Sequence, residues 1–369
     1  MYLKLSVFLR RYYYRIEVNL ENKFICPLPW VSLSIGVNNK RRLCCHETRD
    51  NIEMTPHELE EVKSLMRQGA IPLACKKCAA LEANEILSPR HQYSQDYRNH
   101  SQMQYLDLVL NNDCNLECLM CSPAYSVRLN TIYRETSPIE VMPSWSIDYN
   151  ELNNYDLSGV TDINIIGGEP LLSKDAFLFL ENFLKNYSLK KLRIISNFTK
   201  LPDRWKSIFD RVEKLELIAS IDATEKLYEF IRYPANFEVV KNNIAKLRSW
   251  DLRNLHLYQH VVLMNLNFPY MKEILHFYDE FFSTPENRLP VLVEISSPQI
   301  LHPRVLTDGQ WLKAKKDALE VLEDFERKYG IRQEFKDFRS LITKMEQMNL
   351  GHFYIDYQIY LQKIKKYHS

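Results

Sequence analysis

Three thiols at Cys114, Cys118 and Cys121 stand within one stretch, Asp113-Cys114-Asn115-Leu116-Glu117-Cys118-Leu119-Met120-Cys121. Spacings of this kind let one irregular loop aim three thiolates at a single point, which suits a soft centre such as an iron–sulfur cluster. No fourth thiol lies nearby in sequence. A structural zinc site wants four protein ligands, whereas a cubane held by three leaves one iron open for a ligand that takes part in chemistry.

Five further cysteines, Cys26, Cys44, Cys45, Cys75 and Cys78, precede this loop, and none of the eight in the chain follows Cys121. Clustering in Cys-x-x-Cys units favours metal ligation in a reducing compartment over a disulfide framework. A cytoplasmic location is therefore expected. On spacing alone Cys26, Cys44 or Cys45, Cys75 and Cys78 suit zinc or a closed iron–sulfur cluster. Side-chain alternation makes one of Cys44 and Cys45 a ligand and the other a packing residue, without saying which. His46 is an alternative ligand.

The elements that must position these thiols follow from periodicity. Val31 to Ile35 alternates as a strand, Asn38-Asn39 reads as a turn, and Arg41 to Cys44 as the returning strand. Thr55-Pro56-His57-Glu58 carries a capping box with Pro at the first helical position, which predicts a helix to about residue 67, ahead of Gly69. Residues 24–80 thus form a small thiol-rich module, and 81–103 read as a polar linker.

From residue 104 onward, strand-like and helix-like segments alternate. Strands are expected at 104–110, 160–166, 191–195, 214–221, 256–264 and 291–295, with helices near 174–186, 236–249 and 270–281. This pattern predicts a parallel sheet with right-handed crossovers, six strands making an α/β partial barrel of the (β/α)6, TIM-like kind. Chemistry in such folds gathers at the carboxyl ends of strands. There stand Gly167-Gly168-Glu169-Pro170, Ser196-Asn197 and Ser220-Ile221-Asp222. Residues 301–369 read as a C-terminal helical region whose aromatic stripe, Phe353-Tyr354-Ile355-Asp356-Tyr357, is core.

The 48 Lys and Arg nearly balance the 47 Asp and Glu across 369 residues. There is no global basic field to argue for nucleic acid. Residues 1–23 are basic and aromatic, and Arg10, Arg11 and Arg15 interrupt their apolar run well short of a membrane span. A helix docked on the body is the expectation there.

Taken together, Cys114, Cys118 and Cys121 after the first barrel strand, Gly167 to Pro170 after the second, Ser196-Asn197 after the third and Ser220-x-Asp222 after the fourth resemble the radical S-adenosylmethionine (SAM) superfamily. The block Cys26-Pro27-Leu28-Pro29-Trp30, Cys44-Cys45 and Cys75-Lys76-Lys77-Cys78 resembles the twitch (shortened SPASM) module, here placed N-terminal to the barrel instead of after it. The resemblance implies a 4Fe–4S cluster on Cys114, Cys118 and Cys121 whose open iron binds SAM, and one auxiliary 4Fe–4S cluster on Cys26, Cys44 or Cys45, Cys75 and Cys78. It further implies that Gly167, Gly168, Glu169 and Pro170 hold the SAM ammonium, and that Ser196, Asn197, Ser220, Asp222 and Arg232 serve its ribose and carboxylate. Met120 sits where relatives commonly carry an aromatic near the adenine, and offers a polarisable apolar contact instead.

The implied activity is reductive cleavage of SAM to a 5′-deoxyadenosyl radical that abstracts hydrogen from a substrate. A one-electron reductant such as flavodoxin or ferredoxin is the implied partner. The expected substrate is a peptide or protein side chain, with oxidation or epimerisation of a small molecule (sugar, nucleoside, aminoglycoside) as the alternative. A non-catalytic zinc-binding adaptor is the reading from a different class.

Overall fold

A computed structural model describes residues 24–47, 53–83, 88–97, 102–131, 141–295 and 297–368. Its centre is an eight-stranded sheet in the order β2-β1-β3-β4-β5-β6-β7-β8. The strands are β1 Ser32–Ile35, β2 Arg41–Arg42, β3 Tyr105–Val109, β4 Asp162–Ile166, β5 Lys191–Ser196, β6 Lys214–Ser220, β7 Leu255–Leu263 and β8 Val291–Glu294. β3 to β8 are the six parallel neighbours that the alternating pattern predicts.

The hairpin expected at the N-terminal module is present as β1 and β2, which pair antiparallel. It is not separate from the barrel sheet. β1 runs parallel to β3, with Ser32 opposite Tyr105 and Ile35 opposite Leu108.

Alternation along the strands sorts side chains to two faces. Leu106, Leu108, Ile163, Ile165, Leu192, Ile194, Leu215 and Leu217 are buried in the main core against the crossover helices. The opposite, concave face carries a polar row in register: Ser34, Asp107, Asn164, Arg193 and Glu216. Neighbouring members hydrogen-bond to one another, although Asn164 Oδ1 has no partner among the described residues. The Ser34 hydroxyl and the Asn164 amide donate to Asp107 at 2.6 and 2.7 Å, and Arg193 Nε donates to Glu216 at 2.7 Å.

Crossover helices start where short polar side chains cap them. Ser173 accepts the Ala176 N–H at 3.1 Å ahead of Lys174–Asn186, and Asn236 accepts the Val239 N–H at 3.0 Å ahead of Phe237–Ser249. Each then turns an apolar stripe inward, including Leu180 and Phe183 on one and Val240 and Ile244 on the other. Each such side chain contributes about 1.5–3 kcal/mol on full burial. The Thr55 capping box is formed in full, and the helix it opens is Pro56–Arg67.

Residues 81–103, expected as a polar linker, instead carry a helix, Pro89–Asp96. The chain there packs down on the sheet, and the Tyr97 hydroxyl donates to Asp162 at 2.9 Å.

At the C-terminal end, helices Asp308–Tyr329 and Gln333–Glu346 share an apolar core with Met271 and Ile274, and Trp311 stacks on Phe268 at 5.1 Å. The last helix, Tyr354–His368, buries Tyr357 and Ile364 in the main core, while Ile355 of the aromatic stripe is 71% exposed. The expectation for residues 1–23 lies outside the described residues. Among the described residues no helix is long and apolar enough to cross a membrane.

Candidate functional site

The cysteine loop leaves the carboxyl end of β3 and is laced to its neighbours by backbone. Glu117 N–H donates to the Tyr233 carbonyl at 2.6 Å and Leu119 N–H to the Ile231 carbonyl at 3.0 Å, so the loop is hydrogen-bonded to the segment that follows helix Glu225–Ile231. Asn112, fully buried, braces the far side by donating to the Pro123 and Pro143 carbonyls at 3.0 Å each. Ser126 donates to the Leu116 carbonyl at 2.7 Å. Cys118 is buried, while Cys114, Cys121 and Met120 are half-buried against the main core. The loop is thus fixed by residues that sequence reasoning did not single out; an Asn mid-loop is a common turn residue and gives no signal of its bracing role.

Gly167 and Gly168 have φ of +94° and +50°, conformations that favour glycine. A Cβ on Gly168 would lie 2.3 Å from the Asp113 carbonyl oxygen and from Asn111 Oδ1. What approaches these glycines is therefore the start of the cysteine loop itself, and Glu169 N–H closes the junction by donating to the Asp113 carbonyl at 3.0 Å. The glycines bring the second strand end against the first. Pro170, directly after, is buried.

Glu169 is 2% exposed and receives three hydrogen bonds. Its carboxylate accepts from the Ser196 hydroxyl at 2.7 Å, the Asn197 N–H at 2.7 Å and the Leu171 N–H at 3.1 Å. Burial raises its pKa to about 7, although these hydrogen bonds and Arg232 pull the other way. The Asn197 amide in turn reaches the cysteine loop, donating to Asn115 at 3.0 Å and lying 3.9 Å from Cys114 Sγ. Asn115 and Thr199 complete this network, with Asn115 donating to Thr199 Oγ1 at 2.8 Å. The strand ends that the sequence marks thus meet around the thiols.

Asp222 is fully buried, and both carboxylate oxygens are engaged inside the protein. Oδ2 accepts from Arg232 Nε at 2.6 Å and Oδ1 from Val262 N–H at 2.7 Å. Each of its oxygens thus already has a donor from within the protein. Arg232 is buried, not a surface residue, and its Nη1 lies 3.6 Å from Cys118 Sγ. Asp222 and the nearby sulfur outweigh burial and hold the guanidinium firmly charged. Ser220 ends β6 beside His260 of β7.

The second group of thiols is also gathered. Cys26, Cys44, Cys75 and Cys78 line one apolar cavity together with His46 and Tyr93. Cys45 points elsewhere, its Sγ 3.8 Å from the Tyr93 hydroxyl. Of the adjacent pair, Cys44 is the one that lines the cavity. Burial pushes the Cys26 thiol up to about 12 and lowers the His46 imidazole to about 4, so His46 is neutral.

Among the described residues, no three His, Cys, Asp or Glu side chains could hold a metal ion as they stand. The donor chemistry nevertheless fits: three thiols next to a guanidinium and an amide that donate to sulfur in one group, four thiols on one cavity in the other. Metal binding deprotonates thiols that burial alone would keep neutral.

No protein-family model matches the chain. Over 176 residues it is 25% identical to a probable GTP 3',8-cyclase of Methanocaldococcus jannaschii, which covers 48% of this chain and 55% of that protein. The chain spans about half the length of this curated relative. Among solved structures, native anSMEcpe with bound AdoMet aligns with a TM-score of 0.45 at 16% identity, over 62% of this chain and 63% of that one. SuiB of Streptococcus suis, bound to precursor peptide SuiA, aligns with a TM-score of 0.38 at 14% identity, over 76% of this chain and 54% of that one.

Proposed function

We propose that this homologue of radical SAM enzymes binds a 4Fe–4S cluster on Cys114, Cys118 and Cys121 and cleaves SAM reductively. The observation that carries this reading is the meeting of Glu169 from the end of β4, Ser196 and Asn197 from the end of β5, and Arg232 from the helix after β6, around the cysteine loop. When bound, the cluster supplies the electron that splits SAM to methionine and a 5′-deoxyadenosyl radical.

The chain's own residues would bind and orient. The Glu169 carboxylate is the acceptor for the SAM ammonium, a charge-assisted contact in a site without bulk water. Gly167, Gly168 and Pro170 fix where that carboxylate stands. Ser196, Asn197 and Ser220 supply hydroxyl and amide groups for the ribose and carboxylate, Met120 an apolar contact, and Asp222 acts through Arg232. On the same strands Val109 is paired with Ile166, and Ile195 with Ile218, one step further towards the strand ends than the polar row. The cavity of Cys26, Cys44, Cys75 and Cys78 would hold the auxiliary centre, fully ligated by protein and suited to electron transfer.

For substrate, a peptide or protein side chain is the first reading, on the resemblance of the thiol module to twitch modules of peptide-modifying enzymes. A nucleotide or other small molecule is the second, favoured by the relative named for GTP cyclisation. The test is anaerobic reconstitution, with roughly eight irons per chain expected for two cubanes. Incubation with SAM, reductant and either neighbouring-gene peptides or GTP then shows which one changes mass. Formation of 5′-deoxyadenosine by a variant with Cys114, Cys118 and Cys121 all replaced by Ala would refute the assignment of the loop. Bound zinc without iron would instead favour the adaptor reading.

A further inference from the structure

Beside the four-thiol cavity, between the second half of helix Pro56–Arg67 and Cys78, apolar side chains stand uncovered: Leu65, Ile71 and Leu73 are 40%, 38% and 58% exposed. Their backbone is fixed. The Ala70 N–H donates to the Leu65 carbonyl and the Cys75 N–H to the Pro72 carbonyl, each at 2.9 Å. Although charge is balanced over the whole chain, Val62 to Leu81 hold four cations, Lys63, Arg67, Lys76 and Lys77, and no acid. Of the acids at the edge, Glu60 pairs with Lys63 at 2.7 Å and Glu61 lies 3.8 Å from His57. Arg67 lies over the Trp30 ring at 5.6 Å. Lys76 and Lys77 are exposed and enter no salt bridge among the described residues. An uncovered apolar centre with a rim of one sign is the anatomy of a protein contact.

The place of this patch selects the kind of partner. Cys75 and Cys78, which flank Lys76 and Lys77, are half-buried and line the cavity with Cys26 and Cys44. The thiol module meets β3 at its amino end, for Ser32 pairs with Tyr105 and β2 returns past Ser34 towards Cys44. The cysteine loop leaves the other end of that strand. The five residues of β3 span about 17 Å at 3.3–3.4 Å each. A substrate seated on the patch would lie a strand's length from the candidate SAM site, whereas an electron carrier seated there lies against the thiols.

We propose that this patch is the docking surface for an acidic one-electron carrier protein, with Ile71 and Leu73 at its apolar centre and Lys76 and Lys77 on its rim. Complementary charge speeds the meeting of such partners, and small contacts suit a carrier that must leave after each transfer. One electron passes from the reduced carrier to the oxidised centre on the four thiols, and no bond forms or breaks. The transfer rests on the reading of that cavity as a cluster site; the docking does not.

The test uses a bacterial flavodoxin, an acidic flavin protein, as the probe and the reconstituted full chain. Lys76→Glu combined with Lys77→Glu should weaken flavodoxin binding about tenfold in low-salt titration calorimetry and flatten its salt dependence. Leu73→Ser should weaken binding several-fold and leave the salt dependence as it is. Both should melt with the native chain and should slow reduction by flavodoxin hydroquinone, but not by dithionite. Charge reversal at the exposed Lys363 and Lys365 of the last helix is the control and should change none of these. Native affinity in the Lys76 and Lys77 variant, or an equal loss in the control, overturns the proposal. Displacement of flavodoxin by equimolar single-stranded RNA overturns it too, since the patch is then a surface for anionic polymers at large. If dithionite reduces no centre while flavodoxin still binds, the cluster reading of the cavity fails and the docking surface stands.

Discussion

Arg232 bridges Asp222 and Cys118: its Nε donates to the carboxylate at 2.6 Å and its Nη1 lies 3.6 Å from the sulfur. One buried cation thus ties the end of the fourth barrel strand to a cysteine on the first strand's loop.

Replacing Arg232 by Ala strands the Asp222 carboxylate in the core without its partner. Removing one member of a buried pair costs about 3–5 kcal/mol, so denaturant unfolding of the metal-free protein should show a loss of that order. Arg232→Lys keeps the charge but not the forked reach, and should recover part of the stability without normal iron retention. Equal stability of Arg232→Ala and the native chain would contradict the bridge.

Glu169 gives the site a pH dependence with a definite sign. Because burial lifts its pKa to about 7 in the folded protein, the fold binds a proton there that the unfolded chain releases near the ordinary carboxylate range. The associated stability is present below that range and is lost as pH rises through about 7. Melting temperatures of the metal-free protein should therefore fall between pH 5 and pH 8 more steeply than those of Glu169→Gln. SAM binding should run the other way and strengthen as the carboxylate ionises. A SAM affinity that does not change across this interval would remove Glu169 from the ammonium contact.

Cys44 and Cys45 should separate cleanly. Cys44 lines the four-thiol cavity and Cys45 lies against Tyr93. Cys44→Ala should lose about four irons per chain on reconstitution, the content of one cubane, whereas Cys45→Ala should keep them. Iron analysis of the two purified variants decides the point, and the opposite pattern would exchange their roles.

Gly168 stands where a Cβ meets the Asp113 carbonyl at 2.3 Å, in a backbone conformation with φ of +50°. Gly168→Ala must displace the start of the cysteine loop or leave that conformation, at about 1–3 kcal/mol. Its SAM affinity should fall even where the protein remains folded, as titration calorimetry would show.

What the sequence makes legible here is local. The thiol spacing, the Thr55 capping box and the strand-like runs of the barrel each declare themselves within a dozen residues. The helix Pro89–Asp96 escapes because only Tyr93 of its residues is buried, leaving no apolar periodicity to detect. The division of Cys44 from Cys45 and the pairing of Asp222 with Arg232 escape for another reason. They depend on which neighbours the fold brings up from elsewhere in the chain, and strand-end polar residues look alike until those neighbours are known.

The parallel pairing of β1 with β3 has a mechanical meaning. Ser32 to Ile35 are hydrogen-bonded along the very strand that delivers the cysteine loop. The four-thiol cavity is therefore not a swinging appendage on a tether but is built into the barrel wall. The chain between Cys26 and Cys44 thus cannot shift as a separate body without breaking its ladder to β3, the strand that leads into Cys114, Cys118 and Cys121.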